Sequence, residues 1–306
     1  MLDNRLQKFL TLCETRNYTK TAQKLSMTQP AVSQHMQFLE NYYQVVLISG
    51  KGKNFSLTEE GMALQEYIRT LKANSEQILP LLHRIKNHAK SLNFGATLTI
   101  GEYTVPPILY QIFKDDPETN ISMFVENTHI LQEMLWDGKI DFALLEGHFN
   151  QNQFESKLIS NEIFIGVCSP DNEIASKTVE LKELLKQNLI LREPGSGTRD
   201  ILEKALYNEN LSTNDFIRQI EIGNMNAIKE LCHHNTGITF MYREAVKKEI
   251  SQGYLKEIPI QNFNISHPFN FVYLKNCPDK AQIEYWFEKI IQLRNRKNAP
   301  SKAATA

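Results

Sequence analysis

The sequence predicts three parts in order: a small α-rich basic module, one long helix, and a larger α/β region. Three observations carry this. Residues 1–58 hold seven basic side chains (Arg5, Lys8, Arg16, Lys20, Lys24, Lys51, Lys53) against three acidic ones, a local charge of +4. Residues 59–90 carry apolar side chains at alternating steps of four and three. From residue 91 onward, short β-branched or aromatic runs alternate with helical patterns, and the charge is −6. The whole chain has 306 residues, 34 basic and 35 acidic, so its net charge of −1 is a cancellation between a basic head and an acidic body. That length suggests two or three domains with a sizeable core. The 42 % hydrophobic and 23 % charged content excludes a disordered or collagen-like chain. No apolar run approaches the 18 residues of a membrane span, and no apolar signal core follows the start, so the cytoplasm is expected.

In the head, Leu2, Leu6, Phe9, Leu10 and Cys13 recur at helical spacing, which predicts a helix over 3–15. Thr19 is expected to cap a short helix over 20–25, with Ala22 and Leu25 inward. Ser26-Met27-Thr28 is the turn, and Thr28 caps a third helix with Pro30 in its first turn, where a missing N–H costs nothing. Ala31, Val32, Met36 and Leu39 form its buried stripe. Gln29, Ser33, Gln34 and Gln37 lie on the other side, short donors and acceptors of the kind that read base edges in a major groove. Two short helices around a three-residue turn make a helix-turn-helix. Strands over 45–48 and 55–57 then flank a glycine-rich loop whose Lys51 and Lys53 suit phosphate, the shape of a wing. The expected DNA-contacting residues are therefore Thr28, Gln29, Pro30, Ser33, Gln34, Gln37, Lys51 and Lys53.

The run 19–40, from Thr19-Lys-Thr-Ala22 through Gln29-Pro30-Ala31-Val32-Ser33-Gln34 to Phe38-Leu39-Glu40, resembles the LysR-type transcriptional regulators. So does Leu57-Thr58-Glu-Glu-Gly61, where that family leaves its wing for a linker helix. Two positions depart from the family pattern: Tyr43 stands where glycine is usual, and Gly50 where arginine makes a DNA-backbone contact. Lys51 and Lys53 are the candidates to replace that arginine.

In the long helix, Leu64, Ile68, Leu71, Ser75, Ile78, Leu82 and Ile85 form a seam of about three heptads, which implies a partner helix and a homodimer. Packing on the same chain is the competing reading. Pro80 is expected to kink or break the helix, which then ends near Ala89.

In the α/β region, strands are expected at 92–96, 121–125, 142–145, 164–168, 189–191, 237–241 and 269–274. Helices are expected at 102–114, following the segment 192–199 as far as 206, opening at 223–226 and over 281–296, with a disordered tail over 297–306. Phe94-Gly-Ala-Thr-Leu-Thr-Ile-Gly-Glu-Tyr103 with Pro106, and Ile140-Asp-Phe-Ala-Leu-Leu-Glu-Gly147, resemble the effector-binding domain of the same family. That resemblance covers about residues 2–295. It implies an α/β effector domain of two subdomains in the type II periplasmic-binding-protein fold, about 91–163 with 268–296 and about 164–267. It also implies promoter DNA as partner and a homotetramer.

Two segments share one chemistry. Thr97-Leu98-Thr99 and Ser196-Gly197-Thr198 each place hydroxyls at the start of a helix, where backbone N–H groups and the dipole favour an anion. Gly195 and Gly197 let backbone come close, and Asn224 and Met225 open a third helix that could face the same cleft. Glu146 and Arg199 are expected at its border, and a buried Glu146 would select against a doubly charged anion unless paired. Ordinary helix caps are the competing reading. The segment 192–199 resembles a subgroup of these regulators tied to small inorganic or carboxylate anions. The expected ligand residues are Thr97, Thr99, Glu146, Ser196, Gly197, Thr198, Asn224 and Met225.

Catalysis is not expected, because Ser196 lacks a nucleophile elbow and the segment lacks the lysine of a phosphate loop. No cofactor and no metal are expected either. Cys13, Cys168, Cys232 and Cys277 are scattered without chelating spacing, although a redox pair stays open on spacing alone. A stand-alone solute-binding protein and a structural DNA binder without a ligand cleft remain as alternatives.

Overall fold

The structure, a computed structural model, describes residues 3–50, 55–87, 90–146, 149 and 153–298. It divides into two compact units, one within 1–88, 134–141 and 274–280, the other comprising the rest.

In the first unit, helix α1 (Asn4–Thr15) starts at Asp3, whose carboxylate accepts from Arg5 N at 2.7 Å. Helix α2 (Tyr18–Lys24) is capped by Asn17, not Thr19: Asn17 has the extended backbone a cap needs, and its side chain accepts from Lys20 N at 3.0 Å. Thr19 therefore lies inside the helix, and Leu25 is only half-buried at its end. Helix α3 (Gln29–Tyr43) begins as expected, with Thr28 accepting from Ala31 N and Pro30 in the first turn. Phe9, Leu12, Ala22, Val32, Met36 and Leu39 fill the core between the three helices. Strands β1 (Ile48–Ser49) and β2 (Ser56–Leu57) pair antiparallel and are shorter than expected. The Glu40 carboxylate accepts from Leu47 N at 2.9 Å, fixing the approach to β1. Lys51 and Lys53 lie outside the described residues.

Helix α4 (Glu59–Asn87) continues through Pro80, so the proline does not break it. Side chains on both sides of the proline anchor it. Asn74 donates to Asn276 O and Gln77 to Ile140 O, while Arg84 pairs with Asp141 and Asp279. The apolar seam is divided. Ile68 is buried in the core of the head, whereas Ile78, Leu79, Leu82 and Ile85 are exposed, the last two at 55 % and 62 %.

Gly61 sits in the first turn of α4, and a Cβ there would stand 2.1 Å from the Leu47 carbonyl oxygen, which also accepts from Thr58 N. Gly61→Ala must push α4 off the strand segment. We expect it to lower stability by about 1–3 kcal/mol, read as a fall in melting temperature and loss of DNA binding; an unchanged melting temperature would contradict this packing.

In the second unit, β3 (Ser91–Ala96) lies between β4 (Asn120–Val125) and β5 (Phe142–Leu145), parallel to both. Strand β11 (Ile265–Leu274) runs antiparallel to β5 and neighbours the 15-residue β6 (Phe154–Cys168). The far half of β6 pairs with β9 (Thr239–Tyr242) and β10 (Lys256–Glu257). A separate parallel pair, β7 (Asn188–Leu191) with β8 (Arg218–Glu221), completes the second lobe. Thus β6 and β11 pass through both lobes of a two-subdomain α/β domain. Phe142 stacks between Phe94 and Phe271 in the first lobe, and Ile165, Val167, Ile190 and Ile228 pack in the second.

The expected helix over 102–114 begins instead as a π-helical turn at Ile100–Thr104 and becomes α5 at Val105–Asp115. The chain also forms α6 (Thr128–Trp136) and α9 (Arg243–Ser251), which the sequence reading does not contain, besides α7 (Gly197–Asn208) and α8 (Met225–His233). Helix α10 (Lys280–Asn298) runs two residues into the expected tail, and 299–306 lie outside the described residues. All four cysteines are free thiols, three of them buried.

Candidate effector cavity and nucleic-acid interface

Three helix starts meet at one cavity of about 200 Å³ between the lobes. Thr97 and Leu98 lead into the π turn ahead of α5. Residues 125–128 lead from β4 into α6, where Asn127 accepts from Ile130 N at 3.0 Å. Ser196 and Gly197 open α7 from the opposite lobe, and the Ser196 hydroxyl makes no cap hydrogen bond of its own. Each start presents the positive end of a helix dipole. Arg192, at the end of β7, is 8 % exposed and lines the same space with Glu193 and Gly223.

Glu146, just after β5, is 2 % exposed. Its Oε1 accepts from Thr99 of its own lobe at 3.1 Å and from Thr198 of the other at 3.4 Å. Burial pushes its carboxyl up to about 7, against the pull of the Thr99 hydrogen bond, Arg192 and Thr198. The two glycines have different reasons. Gly195 adopts a left-handed φ of +86° in open space, whereas a Cβ on Gly197 would meet Glu146 Cγ at 3.2 Å. Gly195 therefore serves the turn rather than the close approach expected of it.

Three buried polar atoms of this cavity have no hydrogen-bond partner within the protein: Thr97 Oγ1, Glu146 Oε2 and Arg192 Nη1. The other guanidinium nitrogens of Arg192, Nε and Nη2, donate to Glu193, each at 2.7 Å. Buried polar atoms are rarely left so, and their convergence on one space suits a small polar ligand. A second contact joins the lobes. Tyr103 donates to Asn226 Oδ1 at 3.3 Å, and Lys229 Nζ stands 4.1 Å from the centre of its ring.

Of the expected ligand residues, Thr97, Glu146, Ser196 and Gly197 line the cavity, and Thr99 and Thr198 hold Glu146. Two do not reach it. Met225 is packed in the core of the second lobe, because the first turn of α8 faces β6 and β7, and exposed Asn224 is spent as the α8 cap, accepting from Ala227 N at 2.9 Å. Arg199 is not among the lining residues; it pairs with Glu203 and Glu221 and donates to the Arg192 carbonyl oxygen at 3.1 Å. The sequence reading missed Arg192 as a ligand residue, and the segment 125–128. An arginine directly after the apolar run Leu189-Ile190-Leu191 was the available signal, since a charged side chain is seldom buried without a task.

On the head, Thr28, Gln29, Pro30, Gln34 and Gln37 are exposed on or before α3, and Ser33 is half-buried. Gln29 Nε2 donates to Ser33 Oγ at 3.0 Å, one turn apart, so these two polar groups are held together on the outer face. Elsewhere on α3, Arg5 lies 3.8 Å from the centre of the exposed Phe38 ring.

Comparison with known proteins finds two family models along the chain. A model of the bacterial regulatory helix-turn-helix proteins of the lysR family matches residues 4–62, and a model of the LysR substrate binding domain matches 86–293. The HTH-type transcriptional regulator CysL of Bacillus subtilis (strain 168) is 28 % identical over 270 residues, covering 88 % of this chain and 89 % of that protein. A full-length OxyR variant from Pseudomonas aeruginosa superposes with a TM-score of 0.59 at 20 % identity, over 95 % of this chain and 99 % of that one. The regulatory domain of Synechocystis PCC6803 CcmR, solved in complex with 2-PG, superposes with a TM-score of 0.61 at 18 % identity, over 69 % of this chain and all of that domain.

Proposed function

The chain belongs to the LysR family of bacterial regulatory proteins, and from that premise we propose that it is a sequence-specific regulator of transcription controlled by a small oxyanion held between its two α/β lobes. It is not an enzyme; the relatives it matches are named transcriptional regulators. Among the described residues no helix is long and apolar enough to cross a membrane, and we place its action in the cytoplasm, where its DNA is. The observation that carries the ligand reading is the meeting of three helix starts with an unpartnered arginine nitrogen, a fixed field for negative charge.

The lobes touch through the Thr198–Glu146 and Tyr103–Asn226 contacts. A ligand acts by favouring one arrangement of these contacts over another, and only through different affinity for the two. Promoter fragments retarded specifically by the purified chain, with the retardation altered by an anion of a panel containing sulfate, nitrate, oxalate and 2-PG, support this function. Retardation that is equal for all sequences at fixed salt removes the regulator reading in favour of a structural DNA binder.

The exposed residues Ile78, Leu82 and Ile85 of α4 are the part of the seam that this chain leaves uncovered, and they serve a second copy, within a dimer that assembles further to a tetramer. Leu82→Glu with Ile85→Glu is expected to halve the mass in light scattering and to weaken operator binding at least tenfold; an unchanged mass removes α4 from the interface.

A further inference from the structure

We propose that Glu146 is the specificity-determining residue of this cavity and takes up a proton from solvent when a fully ionised oxyanion binds. The proposal rests on the anion reading above. Its ground is the disposition of charge. From the first lobe Glu126 lines the cavity beside Glu146; from the second come Arg192 and Glu193. Glu193 takes two hydrogen bonds from Arg192, so the one cation here is already paired. With every group ionised, three carboxylates would face an incoming anion against one guanidinium; Glu126 is exposed and Glu193 partly so, and water screens both, whereas Glu146 is buried and unscreened. The dipoles of three helix starts do not offset an uncompensated, wholly buried carboxylate beside the ligand.

A proton on Glu146 removes that repulsion, and the geometry says where it goes. Oε1 already accepts from both Thr99 and Thr198, the bonding of a carbonyl oxygen. Oε2 is buried and has no partner within the protein. The proton sits on Oε2, which turns an acceptor into a donor, and the ligand oxygen receives the hydrogen bond. Thr97 Oγ1 and Arg192 Nη1, the other unpartnered atoms, complete a set of three donors for one oxyanion. Tyr242, the remaining titratable neighbour, keeps its proton because burial raises it, so it does not supply the exchange.

The sign follows. Without ligand the carboxyl titrates at about 7, and a bound anion beside it moves it higher. Affinity for an anion that does not itself titrate is then constant at pH 6 and falls by up to about tenfold per pH unit above 7. The test is calorimetric titration of the full chain with sulfate, nitrate and oxalate from pH 6 to 8.5, in pairs of phosphate-free buffers that differ in ionisation heat. The expected result is that slope for whichever anion binds, with a buffer-dependent heat showing uptake of a proton. In Glu146→Gln, which keeps the acceptor and supplies a donor, both the slope and the buffer dependence vanish, while binding at pH 8.5 is retained. Wild-type affinity that is flat with pH and free of buffer-dependent heat overturns the proposal while leaving the anion site standing. A wild-type slope preserved in Glu146→Gln overturns it too, by placing the proton elsewhere. If none of the three anions binds at any pH and 2-PG does not bind either, the anion reading itself fails and this inference falls with it; binding of 2-PG alone overturns this inference and leaves that reading standing. The wild-type buffer comparison needs no variant, so it decides even if Glu146→Gln folds poorly.

Discussion

Alanine at both Ser33 and Gln34 lowers affinity for the operator by about thirtyfold or more, and leaves binding to unrelated DNA almost unchanged. The magnitude comes from base-edge contacts, worth about 1–3 kcal/mol each. The selectivity comes from what stays: basic side chains of the head still meet phosphate, so non-specific affinity and its salt slope persist. Gln34 is exposed on the outer face of α3, while Val32 and Met36 hold the inner face in the core, so the double change should not unfold the head. Ser33→Ala also releases Gln29, whose amide donates to the Ser33 hydroxyl, so part of the loss belongs to a freed Gln29. Thr28→Ala is the contrasting control. It removes the α3 cap, costs about 1 kcal/mol of stability, and should lower melting temperature and all DNA binding together. Competition gel shifts at fixed salt separate the two patterns. Equal loss on operator and unrelated DNA from the Ser33 and Gln34 change would take α3 out of sequence reading.

The head was readable almost to the residue because its signals are local: a cap, a first-turn proline and an apolar stripe decide α3 within 15 positions. Asn17 against Thr19 shows the margin, since both can cap and only the extended backbone at 17 chooses between them. Gly61 lies outside that class; its reason is the carbonyl of Leu47, fourteen residues away, which no local pattern contains. The α/β body was readable as alternation but not in its long strands, because β6 crosses between lobes and its first ten residues, 154–163, are exposed at many positions and read as loop. Glu146, Thr99 and Thr198 could be named as polar residues at strand and helix ends. Their actual relation, two hydroxyls from opposite lobes on one carboxylate oxygen, depends on how β6 and β11 bring the lobes together. Met225 failed for a similar reason: a helix start can turn its first side chain to the cleft or to the core, and here the apolar side chain goes to the core.

Arg192→Met should abolish the response to the oxyanion while the purified chain still binds its operator. The long side chain of Arg192 is nearly covered, so methionine preserves most of its apolar stem and limits the loss of packing. What goes is the single guanidinium N–H that is buried, unpartnered and in the cavity. A hydrogen bond to a charged group is worth about 1.5–3 kcal/mol, so binding should weaken from about tenfold to more than a hundredfold. The substitution also strips Glu193 of its partner. Burial pushes that carboxyl up, and the hydrogen bonds from Arg192 hold it below its ordinary range; with the guanidinium gone, the charge that Glu193 keeps is no longer neutralised beside the ligand, which adds repulsion to the lost donor. Arg192→Lys keeps the charge but not the fork: one ammonium cannot hold both Glu193 oxygens in the same geometry and still present a donor to the ligand. It should therefore fall between wild type and Arg192→Met, nearer the latter. Calorimetry with the anion that binds wild type, beside gel shifts without anion, measures the two functions separately. If anion binding survives Arg192→Met undiminished in a chain that melts like wild type, the space between the lobes is not where the effector sits.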